Sequence, residues 1–216
     1  MSLRSYDIIK GTAIDYMHGL CLGVMKTLLS LWFTPENSTT PFSIYEQVSK
    51  ADKRRLQIHP PLEIGRTPRS IEHHRKYWKA SELKAFLLYY GIPVLSSILD
   101  ATYFQHFAFL SQAAFILLQD SISELQLQNC ERLLDYFCFM FPFLYDLRYQ
   151  TINVHNLLHL TTSSKGVRTP LDSFLFSFWR QKSLHPKNDT WDTKCFFSNS
   201  HSCLIRSKFT SNGRFS

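Results

Sequence analysis

Glycine is scarce in this chain: seven in 216 residues, none arranged as GxGxxG or GxxxxGK. A backbone that cradles phosphates in a tight glycine loop is therefore not encoded in it. A GxSxG elbow is missing as well, which removes the common serine-hydrolase signature. Five cysteines, at 21, 130, 138, 195 and 203, are odd in number and form no CxxC pair. That excludes a cysteine-rich zinc site and a disulfide framework, and it fits a reducing, intracellular compartment. No apolar run approaches the roughly 20 residues of a membrane span, and the first residues lack a signal-peptide pattern. No membrane partner is expected. Alternation of apolar and polar residues is also rare, so a sheet is not expected from this chain.

What the chain has is apolar mass and positive charge. Hydrophobic residues make up 44% and aromatics 15%, enough for a sizeable core, and the net charge of +7 favours an acidic partner such as nucleic acid. Ile14, Met17, Leu20, Cys21, Val24, Leu28, Leu31 and Trp32 recur at three and four, which predicts a first helix over 13–33. Prolines at 35, 41, 60, 61 and 68 then interrupt regular structure, and 34–78 reads as an extended basic connector with few apolar anchors. Helical periodicity returns over 79–165. Leu83, Phe86, Leu87 and Tyr90 form one stripe with Gly91 as its expected stop; Phe104, Phe107, Ala108, Leu110, Phe115 and Leu118 form another. Ser123 and Gln126 stand in capping-box spacing ahead of Leu127, Cys130, Leu134 and Phe137. A shorter helix follows in "INVHNLLHLTTSSKG" and ends near Gly166. From about Gln181 to Ser216 all periodicity is lost, and 175–216 reads as a loose tail. The fold class expected is mainly α, a helical bundle.

Three groups of residues could carry chemistry. Asp15 and His18, three apart, share a helical face and could bind a metal or orient each other, although a dipole-favoured aspartate beside a satisfied histidine is the commoner role of such a pair. His155 and His159, four apart, have zinc-sharing spacing, and Asn153 lies on the same polar face. Two histidines leave a tetrahedral site half filled, and no glutamate stands where a general base would. Between Lys50 and Lys79, nine Lys/Arg face three acids, with Tyr77 and Trp78 interleaved. Lys53, Arg54, Arg55, Arg66 and Arg69 are the candidates for phosphate contact. A solvated loop would explain the same charge run equally well.

Five stretches carry a resemblance. They are "YDIIKGTAIDYMHGLCLGVMKTLLSLWF", "VSKADKRRLQIHPPLEIGRTPRSI", "YWKASELKAFLLYYGIPVL", "INVHNLLHL" and "RTPLDSF", in this order from about residue 6 to 174. Together they resemble the animal CACTA-type (Enhancer/Suppressor-mutator) DNA transposases. The resemblance implies a ribonuclease-H-like nuclease in which three acidic residues hold two divalent ions, Mg or Mn, for strand cleavage and transfer. It also implies a nuclear protein that binds DNA and associates with other transposase subunits. In that family a mostly helical insertion interrupts the nuclease core, and a D-x-x-H pair lies near its start; Asp15 and His18 match the pair. Residues 1–174 then correspond to the transposase-like helical region and its basic connector. The chain is expected to begin at the family's middle, without the first two acidic residues. The glutamate expected after "PLDSF" has no counterpart near Phe178, and 175–216 diverge. A truncated fragment without cleavage activity is the reading this favours. The alternative is a non-catalytic helical DNA- or protein-interaction module derived from such an element.

Overall fold

A computed structural model of the chain describes residues 17–58, 68–119 and 121–161. These fall in a compact unit spanning Met1–Ser183, and a further unit, Leu184–Ser216, lies outside them. Among the described residues every regular element is helical, and no helix is long and apolar enough to cross a membrane. Residues 13–16, the end near Gly166 and the expected tail fall outside the described residues.

The first helix starts as α1 (Met17–Met25), wound in the wide π form, and passes directly into α2 (Lys26–Phe33). Its apolar stripe is buried as the spacing predicts: Leu20, Cys21, Val24, Leu28, Leu31 and Trp32 are each at most 2% exposed. The chain then folds back on the helix it has left, because Ile44 N–H donates to Trp32 O at 2.8 Å. From here to Trp78 the structure corrects the expected connector. It holds α3 (Val48–Gln57) and a short α4 (Ile71–His74), and Phe42, Ile44, Val48, Ala51, Ile71 and Trp78 are all buried. The prolines within reach of description sit outside these helices, Pro35 at the start of a 3-10 turn, where its missing N–H has no partner to lose. Proline therefore sets the breaks here without preventing a ten-residue helix between them.

The next element is α5 (Ala80–Ala85), which continues through a π-wound turn at Phe86–Tyr90 into α6 (Gly91–Leu95). Gly91 was expected to stop this helix and does not; its φ is −60° and helical winding continues to Leu95. The glycine serves a close approach. A Cβ there would lie 2.7 Å from Phe107 Cε1 and 2.9 Å from Phe86 O, so the ring of Phe107 packs directly on backbone.

The two longest helices, α7 (Ala101–Leu117) and α8 (Glu124–Tyr145), form an antiparallel hairpin. Tyr103 meets Tyr145, His106 meets Phe137 and Ala113 meets Cys130, so contacts run in opposite senses along the pair. Asp100 caps α7 by accepting Thr102 N–H, and Ser123 with Gln126 forms the expected reciprocal capping box on α8. The thiols of Cys130 and Cys138, each donating to a backbone carbonyl in the core, are pushed up to about 12 by burial. They are packing groups, not nucleophiles. Last comes α9 (Ile152–Asn156), followed by a 3-10 turn at Leu157–His159, and it returns to pack on α1.

Candidate functional site

Two of the quoted stretches, separated by some 130 positions in the chain, become neighbours. Gly23 on α1 has no side chain, and the space a Cβ would need is taken by the Asn153 side chain of α9, 2.7 Å from where that Cβ would be. The absence of a side chain at one position thus admits a polar one from the other helix. Asn153 is accordingly half-buried, while His155 and His159 on the same short segment are exposed. Their rings lie edge to face with centroids 5.2 Å apart. His18 is exposed on α1 one turn before Gly23; Asp15 lies outside the described residues, and the geometry of the pair with it. Among the described residues no group of three or more His, Cys, Asp or Glu converges as a cation site would require.

The basic candidates divide sharply. Lys53 is exposed on α3, as is Lys50. Arg66 lies outside the described residues. The other three were expected outside the apolar packing; the structure corrects this for Arg55, which is buried, while Arg54 and Arg69 are half-buried and held by polar partners. Arg54 is half-buried: Nη1 donates to the carbonyls of Val94 (3.3 Å) and Ser96, and Nη2 to Ser97 Oγ (3.2 Å). It ties α3 to the end of α6, where Ser97 takes a positive φ of 58°. Arg69 forms a bidentate ion pair with Glu82, both contacts at 2.6 Å, and donates to Tyr77 O at 2.8 Å. Glu82 also accepts Lys79 N–H at 2.9 Å and so caps α5. The guanidinium of Arg69 is held above its ordinary pKa by the hydrogen bonds to Glu82.

Arg55 is the furthest from solvent, 1% exposed. Its guanidinium carbon sits 4.4 Å from the Trp78 ring centroid, 4.6 Å from Tyr90 and 5.7 Å from Phe86. The planar cation is thus surrounded by aromatic rings, with Nε donating to Arg69 O at 3.2 Å. Burial lowers its pKa to about 10, only partly offset by Tyr90, Glu82 and Asp52. Asp52, one turn earlier on α3, is also buried and accepts Ser70 Oγ–H at 2.7 Å and Ile71 N–H at 2.5 Å, which anchors the start of α4. A charge run along the sequence has become a polar clasp joining α3, α4 and α5.

The exposed cations of the described residues lie elsewhere. Lys50 and Lys53 remain exposed on α3. A second group lies where α2 meets the 3-10 turn Arg75–Tyr77: Lys26, Ser30, Thr34, Arg75 and Lys76 line an open hollow of about 230 Å³ floored by Leu29. Sequence reading counted Arg75 and Lys76 in the basic run but placed Lys26 only in the apolar first helix. Its position on the polar side of α2, between the buried Met25 and the buried Leu28, was the available signal. The chain matches no family model, no curated protein and no solved structure.

Proposed function

We propose that this chain is the helical region of a CACTA-like transposase, acting in the nucleus, and that it associates with DNA through its exposed lysines without cutting it. The support is the ordered set of five stretches, of which "DYMHGLCLGV" and "INVHNLLHL" share one interface through Gly23 and Asn153. A helical insertion beside a ribonuclease-H-like core is the architecture this reading assigns to α1 through α9. The Mg or Mn ions implied by the resemblance do not fit the donors present. Two-metal transfer requires several carboxylates to clamp both ions, whereas the matched pair is one carboxylate and one imidazole, Asp15 and His18.

DNA association is then electrostatic, carried by Lys50 and Lys53 rather than by Arg54 and Arg69, which are tied to Val94, Ser96 and Glu82, or by Arg55, which is buried among aromatic rings. Fluorescence anisotropy with a labelled duplex tests this. Affinity should fall steeply with salt, and a Lys50→Ala/Lys53→Ala variant should bind several-fold more weakly with a shallower salt slope. Salt-insensitive binding, unchanged affinity in that variant, or nicking of an inverted-repeat duplex with magnesium or manganese would refute the reading.

A further inference from the structure

The hollow between α2 and the Arg75–Tyr77 turn has a composition that a solvated charge run does not explain. Three cationic side chains, Lys26, Arg75 and Lys76, border it, and no acidic residue lines it. They come from segments some 50 residues apart, so folding concentrates the charge at this place. Two hydroxyls stand among them in a chain: Arg75 Nη2 donates to Thr34 Oγ1 at 3.2 Å, and Thr34 Oγ1 lies 3.2 Å from Ser30 Oγ. Because Thr34 Oγ1 accepts from the guanidinium, its own proton is available to Ser30 or to a guest oxygen.

Arg75 is half-buried and makes no carboxylate ion pair among the described residues. Glu36 and Tyr45 act on it only from a distance, and burial outweighs them, leaving its pKa below the ordinary value. A partly desolvated guanidinium whose hydrogen-bond acceptor, among the described residues, is a neutral hydroxyl is a stronger donor to an incoming anion than a fully hydrated one. A single carboxylate would satisfy one cation. A tetrahedral, doubly charged oxyanion satisfies several at once, and Arg supplies the planar fork that matches it.

We infer that this hollow is a binding site for one phosphate group, held by Lys26, Arg75 and Lys76 with Ser30 and Thr34 as hydroxyl donors. The phosphate belongs either to a nucleic-acid backbone or to a free phosphate compound. The site stands on its own geometry, so it does not depend on DNA association through α3.

The test is a titration of the full chain with inorganic phosphate, followed by amide and Arg Nε–H NMR shifts, against sodium chloride at equal ionic strength. Saturable shifts at Ser30, Thr34 and Arg75 are expected with phosphate and not with chloride. Lys26→Ala and Lys76→Ala change exposed side chains, leave the fold intact and should each weaken phosphate binding about fivefold or more. Arg75→Lys keeps the charge and loses the fork, and should weaken it further. No saturable shift, equal response to chloride, or unaltered binding in both lysine variants would overturn the assignment. A short duplex added to the phosphate-bound protein then identifies the source. Displacement at these residues supports a backbone phosphate, and its absence supports a free one, each leaving the site itself in place.

Discussion

Acidification should weaken this fold through one residue, His106. The imidazole is 2% exposed and stacks on Phe137 with centroids 4.1 Å apart and planes 18° off parallel. Nε2 lies 2.9 Å from Phe137 O, and since a carbonyl only accepts, Nε2 carries the proton and Nδ1 is left with none. Nδ1 has no hydrogen-bond partner, and the neighbouring rings are Phe141 and Tyr145. A second proton would place an unpaired cation among aromatics. Burial accordingly lowers the pKa from 6.5 to about 4, with the Phe137 carbonyl opposing only part of the effect. In the unfolded chain the residue protonates near its ordinary value. Between about pH 6.5 and about pH 4 the unfolded state therefore binds more protons, and stability falls as pH falls through this window. The fall from 6.5 to about 4 corresponds to about 3 kcal/mol, fully present above the window and lost by its lower end. Urea unfolding followed by circular dichroism at about pH 7, 6, 5 and 4 measures it, with His106→Leu as the non-titrating reference. The exposed histidines at 18, 73, 74, 155 and 159 are common to both proteins and cancel in the difference. Wild type should lose about 3 kcal/mol more than His106→Leu across the series. Parallel pH profiles for the two would refute the reasoning.

Arg55→Met, which keeps the stem against Trp78 and removes a buried charge, should lie within about 1 kcal/mol of wild type in urea, whereas Arg55→Ala should lose about 3 kcal/mol to the cavity. Neither should change DNA affinity by anisotropy, and a loss in Arg55→Met matching that of Lys50→Ala/Lys53→Ala would restore Arg55 to the interface. Gly91→Ala meets the Phe107 ring and the backbone oxygen of Phe86 and should be destabilised by about 2 kcal/mol, because neither neighbour swings away freely. Gly23→Ala meets Asn153 not only at Cγ and Nδ2, which χ1 rotation can move, but also at Cβ, 2.9 Å away and fixed to the α9 backbone, so thermal melts should show a clear loss here too; an unchanged melting temperature would refute this account of the close approach.

Helical content, most of the stripes that become the core and the capping box at Ser123 were legible in the sequence because they depend on residues three or four apart; of the stripe expected along α7, Phe107 and Leu110 are buried but Phe104, Ala108, Phe115 and Leu118 only half-buried. Leu83, Phe86, Leu87 and Tyr90 are buried together, as are Leu127, Cys130, Leu134 and Phe137, since a period of 3.6 puts each set on one face wherever the helix packs. The role of a single polar or glycine residue depends instead on what arrives from elsewhere in the chain. Arg55 reads as one member of a basic run until Trp78 and Tyr90 close over it, and Arg69 reads the same way until Glu82 meets it. Gly91 looks like a stop until Phe107, from the next helix, occupies its missing side chain's place. For the candidate sites, Asn153 over Gly23 and Lys26 beside Arg75 and Lys76 could be found only by folding, because each pairing joins segments about 50 to 130 residues apart, and no local spacing encodes it. Local periodicity determined the helices; the long-range closure of the core decided which charges it consumes and which remain free to meet a partner.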